Sequence, residues 1–160
     1  MDAPRSLEDL FRVEYPRLVR ALSVAAGSPE VAADAVQDAF VQASRHWSRI
    51  CSYDDPAPWV RRVAVNRLAD QRRLLRRRTA ALARLGEPRA EEKPTDLDLA
   101  AAVRALPPRQ RTATCLYYLA DLPVSEVAQL MGVTAGTVKS HLAHARGRLS
   151  HLLEVPIDER

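Results

Sequence analysis

The sequence predicts an all-α protein: two small helical domains joined by a flexible linker, the C-terminal one a helix-turn-helix. Three observations carry this. Apolar residues recur at helical spacing along most of the chain, and no segment alternates between turn signals as a strand would. The stretch Gly86–Thr95, GEPRAEEKPT, has the composition of a flexible, charged linker. Val124–Leu149 reads as two helices meeting at a sharp turn. The expected division is a first domain over 1–85, a linker over 86–97, a second domain over 98–153 and a frayed tail over 154–160.

The first helix should run from Ser6 to Ala26. Ser6 and Asp9 resemble a capping box with Asp in place of Glu or Gln. Leu7, Leu10, Phe11, Leu18, Val19 and Leu22 make its apolar stripe. Pro16 removes a donor and predicts a kink or break near Tyr15, and Gly27 stops the helix. Ser28-Pro29-Glu30 then supplies a cap, a proline at the first position and an acid in the first turn. This second helix should reach about Trp47, with Val36, Phe40, Ala43 and Trp47 inward. Asp34, Gln37, Asp38 and Gln42 lie elsewhere on the cylinder, as a solvated face or as a docking surface for a basic partner.

Arg49–Pro58 reads as a loop, and Asp55-Pro56 can open the next helix, Trp59–Leu85. Its apolar positions are Trp59, Val60, Val63, Ala64, Leu68, Leu75 and Leu82. Trp59 reads more readily as a core anchor than as a base-stacking ring. The C-terminal half should hold a helix from Asp96 or Asp98 to Leu106, a break at Pro107-Pro108, a helix Arg109–Ala120 and a corner at Asp121-Leu122-Pro123. In the helix-turn-helix, Ser125 is the candidate cap of a helix ending at Met131. Gly132 makes the turn and Thr134 caps the second helix. Val127, Ala128, Met131, Val133, Val138, Leu142, Ala145 and Leu149 form the inward set. Gly136, Thr137, Lys139, Ser140, His141, Ala143, His144 and Arg146 point outward. They are small, polar or basic, which suits an approach to phosphates and base edges in a major groove. An ordinary helical hairpin with a solvated basic face shows the same periodicity, but lacks a reason for the small Ala128 at the helix crossing, the glycine turn and the threonine cap together.

Charge is unevenly placed. The net charge is +4, yet Val60–Arg78 contains eight arginines and one acid, Asp70, a local balance of +7 that leaves −3 for the rest. One segment is built to meet a polyanion. Two cysteines, Cys51 and Cys115, stand apart without metal-site spacing. His141, His144 and His151 lack a matching acid or thiol, so no metal and no cofactor are expected. No apolar run is long enough to span a bilayer, and the acidic N-terminus lacks a signal-peptide layout. A cytoplasmic protein without membrane insertion is expected.

Together these segments resemble a bacterial RNA polymerase sigma factor of the extracytoplasmic-function group, over about Leu7 to Leu153. AADAVQDAF (32–40) is similar to the helix of region two that docks on the polymerase clamp. WVRRVAVNRLADQRR (59–73) is similar to the helix that meets the promoter −10 element. LPPRQR (106–111) followed by LPVSEVAQLMGVTAGTVKSHLAHARGRL (122–149) resembles region four, and is the most specific match.

The resemblance implies polymerase binding by Asp34, Gln37, Asp38 and Phe40. It implies −10 contacts by Ser52, Tyr53, Asp54 and Asp55 in the loop and by Arg61, Arg62, Asn66 and Arg67 on the helix. It implies −35 contacts by Thr134, Gly136, Thr137, Lys139, Ser140, His141, His144 and Arg146. Partners would be core RNA polymerase, promoter DNA and an anti-sigma protein. Ala135 replaces the family's common proline, and His141 and His144 stand where arginine is frequent. The expected function is promoter recognition and transcription initiation with core polymerase, and no enzymatic activity. The alternatives are a stand-alone helix-turn-helix regulator, which would need a dimer interface, and a helical adaptor that binds only protein.

Overall fold

The computed structural model describes residues 6–83 and 99–154; these fold into helices with no strand among them. The predicted linker 86–97, the helix start at Asp96 or Asp98 and the tail beyond Glu154 lie outside the described residues.

Four helices form the N-terminal module. Helix α1, Leu7–Ala26, starts where the Ser6 hydroxyl accepts the Asp9 amide at 3.1 Å. It ends on Gly27, whose φ of 71° is left-handed. The break expected at Pro16 does not occur: α1 is continuous through it. Pro16 and Arg12 are both exposed, so the carbonyl deprived of its partner four residues earlier lies on the side open to water. Helix α2, Pro29–Arg45, is capped by Ser28 accepting from the Val31 amide at 3.3 Å. A short α3, Trp47–Ile50, takes up the start of the predicted loop. Helix α4, Ala57–Ala83, opens where the Asp55 carboxylate accepts the Ala57 amide at 2.9 Å.

Alanine explains how α1 and α2 come together. Ala21, Ala32, Ala35, Ala39 and Ala43 are fully buried, and their small side chains let helix axes approach closely. Leu10, Leu18, Leu22, Val36, Ile50 and Val60 fill the remaining space. Leu75 departs from the predicted stripe of α4: it is exposed, because the far end of α4 extends past the helices that cover its beginning.

The C-terminal module begins with α5, Leu99–Arg104, and α6, Pro108–Thr114. The next predicted turns of α-helix are replaced by a π-helical turn, Cys115–Leu119, closed by the Ala120 amide on the Cys115 carbonyl at 3.0 Å. Helix α7, Val124–Met131, starts after Pro123, so Ser125 lies inside it and is not its cap. Gly132 turns the chain at φ 66°, and α8, Ala135–Leu153, follows. Val127, Val138, Leu142 and Ala145 are buried between these helices, with Leu130 added to the predicted set.

The two modules pack against each other. Leu22 of α1 and Val65 and Leu68 of α4 share one apolar core with Ala113, Leu116, Val127 and Leu130. Ala25 joins a second cluster with Val103, Leu106, Cys115 and Ala145. Arg20 of α1 donates to the Leu119 carbonyl at 3.0 Å, an acceptor left over where the helix ends.

Candidate nucleic-acid interface

Helix α8 presents its outer face to solvent. Its first turn is fixed by Thr134, whose hydroxyl accepts the Thr137 amide at 3.2 Å and lies 2.9 Å from the Thr137 hydroxyl. Beyond that cap, Gly136, Lys139, Ser140, Ala143, His144 and Arg146 are exposed, while Thr137 and His141 are half-buried. A Cβ at Gly136 would meet only the Thr134 hydroxyl, 3.9 Å away, so nothing inside the fold demands glycine there. The missing side chain leaves the backbone there open to solvent. Arg146 donates to the Tyr118 hydroxyl at 3.3 Å, which ties the end of this face to the π turn.

On α4 the predicted residues separate. Arg62 and Asn66 are exposed and Arg67 is half-buried. Arg61 is buried, and this departs from its expected place on a DNA-facing surface. Its guanidinium is fully engaged: Nε and Nη2 donate to the two Glu14 oxygens at 2.9 and 2.7 Å, and Nη1 to both Glu126 oxygens at 2.8 and 3.0 Å. Burial opposes the charged form, but the bonds to Glu14 and Glu126 outweigh it and hold Arg61 above the usual arginine range. Neighbours in the sequence therefore do different work, since one turn of helix points successive side chains apart.

The loop Ser52–Asp55 is exposed throughout. Tyr53 is 42% exposed and open to stacking, whereas Asp55 is committed to capping α4. Trp59 is half-buried, edge-on to His46 with ring centroids 6.1 Å apart, as a core anchor would be.

On α2, Asp34, Gln37 and Asp38 are exposed. Phe40 points away from them, buried in an aromatic cluster with Phe11 at 5.0 Å and Tyr15 at 6.3 Å. It supports the helix from behind instead of joining the surface stripe. Val41, exposed and seven residues after Asp34, completes that stripe. The sequence reading passed over it, though its spacing was a visible signal.

Among the described residues no group of three or more His, Cys, Asp or Glu is arranged to hold a metal ion, and no helix is long and apolar enough to cross a membrane.

Comparison with known proteins fits this geometry. The profile described as sigma-70 region 2 matches residues 10–78, which contain α1, α2, α3 and most of α4. The profile described as sigma-70, region 4 matches residues 96–149, which contain the helix-turn-helix. The ECF RNA polymerase sigma factor SigM of Mycobacterium tuberculosis is 31% identical over 153 residues, covering 92% of this chain and 77% of that protein. The RNA polymerase sigma-E factor of Streptomyces antibioticus is 28% identical over 151 residues, covering 92% and 84%. The sigma factor RpoE from Bartonella quintana, solved in complex with the anti-sigma factor NepR, shares the fold. Its TM-score is 0.77 at 23% identity, over 94% of this chain and 98% of that one. The chain therefore belongs to the sigma-70 family, in its extracytoplasmic-function group, and directs promoter recognition and transcription initiation.

Proposed function

We propose that promoter reading is divided between two helical faces, and that a third surface holds the polymerase. The exposed face of α8, from Gly136 through Lys139, Ser140, His144 and Arg146, reads the −35 element in the major groove. Thr134 and Thr137 fix its entry angle and His141 lies at its border. Arg62, Asn66 and Arg67 of α4, with Ser52, Tyr53 and Asp54, hold the −10 segment as it opens. Arginines grip phosphates there, and a ring is available to an unstacked base. Asp34, Gln37, Asp38 and Val41 dock on core polymerase. The chain is not an enzyme; the polymerase performs the chemistry, and the protein works in the cytoplasm. An anti-sigma protein is a partner consistent with the complex known for the Bartonella quintana relative.

The observation that supports this best is the outer face of α8: a capped helix after a tight glycine turn, with small and basic residues outward and nothing covering them. Each face is small, so affinity comes from tethering both to one polymerase, which raises their effective concentration at the promoter.

Two variants separate the surfaces. Lys139→Glu should weaken promoter binding of the holoenzyme by about tenfold or more, on the scale of one base-edge or phosphate contact. Its affinity for core polymerase should not change. Asp38→Arg should do the reverse, lowering polymerase affinity first. Equal losses in both assays for either variant would contradict the assignment.

A further inference from the structure

Arg61 does more than stabilise its own module. Glu14 belongs to α1, in the N-terminal module, but Glu126 belongs to α7, the first helix of the helix-turn-helix. Among the described residues, Arg61–Glu126 is the one ion pair that crosses between modules. Elsewhere at the junction, charge repels. Arg72 and Arg76 of α4 stand near Arg111 of α6, and among the described residues no carboxylate pairs with them. Burial, then neighbouring guanidiniums, pushes Arg72 below the usual arginine range; Arg111 is lowered by burial and by Arg76. The Nε of Arg111 is buried without an acceptor.

The same junction lies over the −10 helix. A cleft of about 350 Å³ is lined by Asn66, Arg72 and Arg73 on one side and by Thr112, Leu130 and Met131 on the other. Asn66 therefore faces the second module, and Arg61 is enclosed by it.

We infer that Glu126 and Arg61 form a latch closing the C-terminal module over part of the −10 face of α4, and that the latch opens before that face takes DNA. The inference rests on the −10 reading of α4 given above. Arg61 is a positioning residue: bound to Glu126 it holds the modules closed, and released it still has Glu14. A phosphate is the natural replacement for Glu126, because a guanidinium fork donates to either oxyanion in the same bidentate way. Among the charged groups of the junction this one attraction stands against several like-charge contacts, beside the apolar core that the modules share.

Glu126→Lys tests this without dismantling the N-terminal module, because Arg61 keeps both bonds to Glu14. Small-angle X-ray scattering of the full chain should show the radius of gyration rising by several ångström, with unchanged helical circular dichroism. Glu126→Gln should give a smaller rise. Binding of a labelled single-stranded DNA of mixed sequence, followed by fluorescence anisotropy, should tighten severalfold. Glu8→Lys, the same charge change at an exposed site on α1, sets the gain due to charge alone. An unchanged radius of gyration in Glu126→Lys with intact helicity would overturn the latch. Expansion with no gain in DNA binding beyond Glu8→Lys would leave the latch standing and overturn the −10 reading of α4.

Discussion

Cys51 and Cys115 have the same side chain in opposite surroundings. Cys51 is exposed beside the Ser52–Asp55 loop; Cys115 is buried at the start of the π turn. Burial pushes the Cys115 thiol up to about 12, although Arg111 and Arg72 nearby pull it the other way. The thiolate is the reactive form, so Cys115 should be inert in the native protein. Iodoacetamide at mildly alkaline pH should add one label to the folded chain and two in denaturant, as read by intact mass. Two labels under native conditions would show that the π turn opens readily. The sign of the pH effect follows. The folded state retains the thiol proton that an unfolded chain releases near about 8.5. Stability from this group is therefore complete below that value and declines as pH rises from it towards 12.

The exposed face of α8 was legible because it repeats at helical spacing and its cap is local. Arg61 was not legible. In the run Val60–Arg78 it resembles its neighbours, and its partners lie 47 residues before it and 65 after it. Phe40 was read both as inward and as polymerase-facing; the aromatic rings of α1 decide for the inside.

At the scale of elements, boundaries set by short-range chemistry could be read directly. The Ser6, Ser28 and Thr134 hydroxyls each accept an amide three residues on, and Gly27 and Gly132 each take a left-handed turn. Boundaries set by distant packing could not. Pro16 leaves α1 intact because its exposed side tolerates the missing bond. The π turn has no local signature; it adds one residue to a helical turn, and Arg20 from α1 bonds the Leu119 carbonyl at its end. Asp121 adopts a left-handed φ of 55° at the corner that follows, a conformation Asp tolerates better than most residues. Thr134→Ala tests the cap that aims the proposed reading helix. It removes the Thr137 amide's acceptor, so stability should fall by about 1 kcal/mol in chemical denaturation. No change would mean that the turn at Gly132 alone orients α8.

Across the whole molecule, helical class and the C-terminal helix-turn-helix follow from patterns within single segments. How the halves meet does not. Leu22 and Ala25 extend the ordinary apolar stripe of α1, yet they pack with residues from the C-terminal module. A stripe records that a face is buried and not what buries it. The resulting molecule is closed, with the proposed −35 face of α8 open to solvent and the proposed −10 face of α4 partly covered. Separate small faces of this kind gain strength when mounted on a larger machine, which explains why sequence-specific affinity should reside in the holoenzyme.

Run-off transcription over a promoter library, with core polymerase in the presence and absence of this chain, tests that claim most directly. Adding the chain should produce discrete transcripts from a subset of templates that core polymerase alone does not initiate on, and Lys139→Glu should abolish most of them. Identical transcripts with and without the chain, from a preparation that still binds core polymerase, would contradict it.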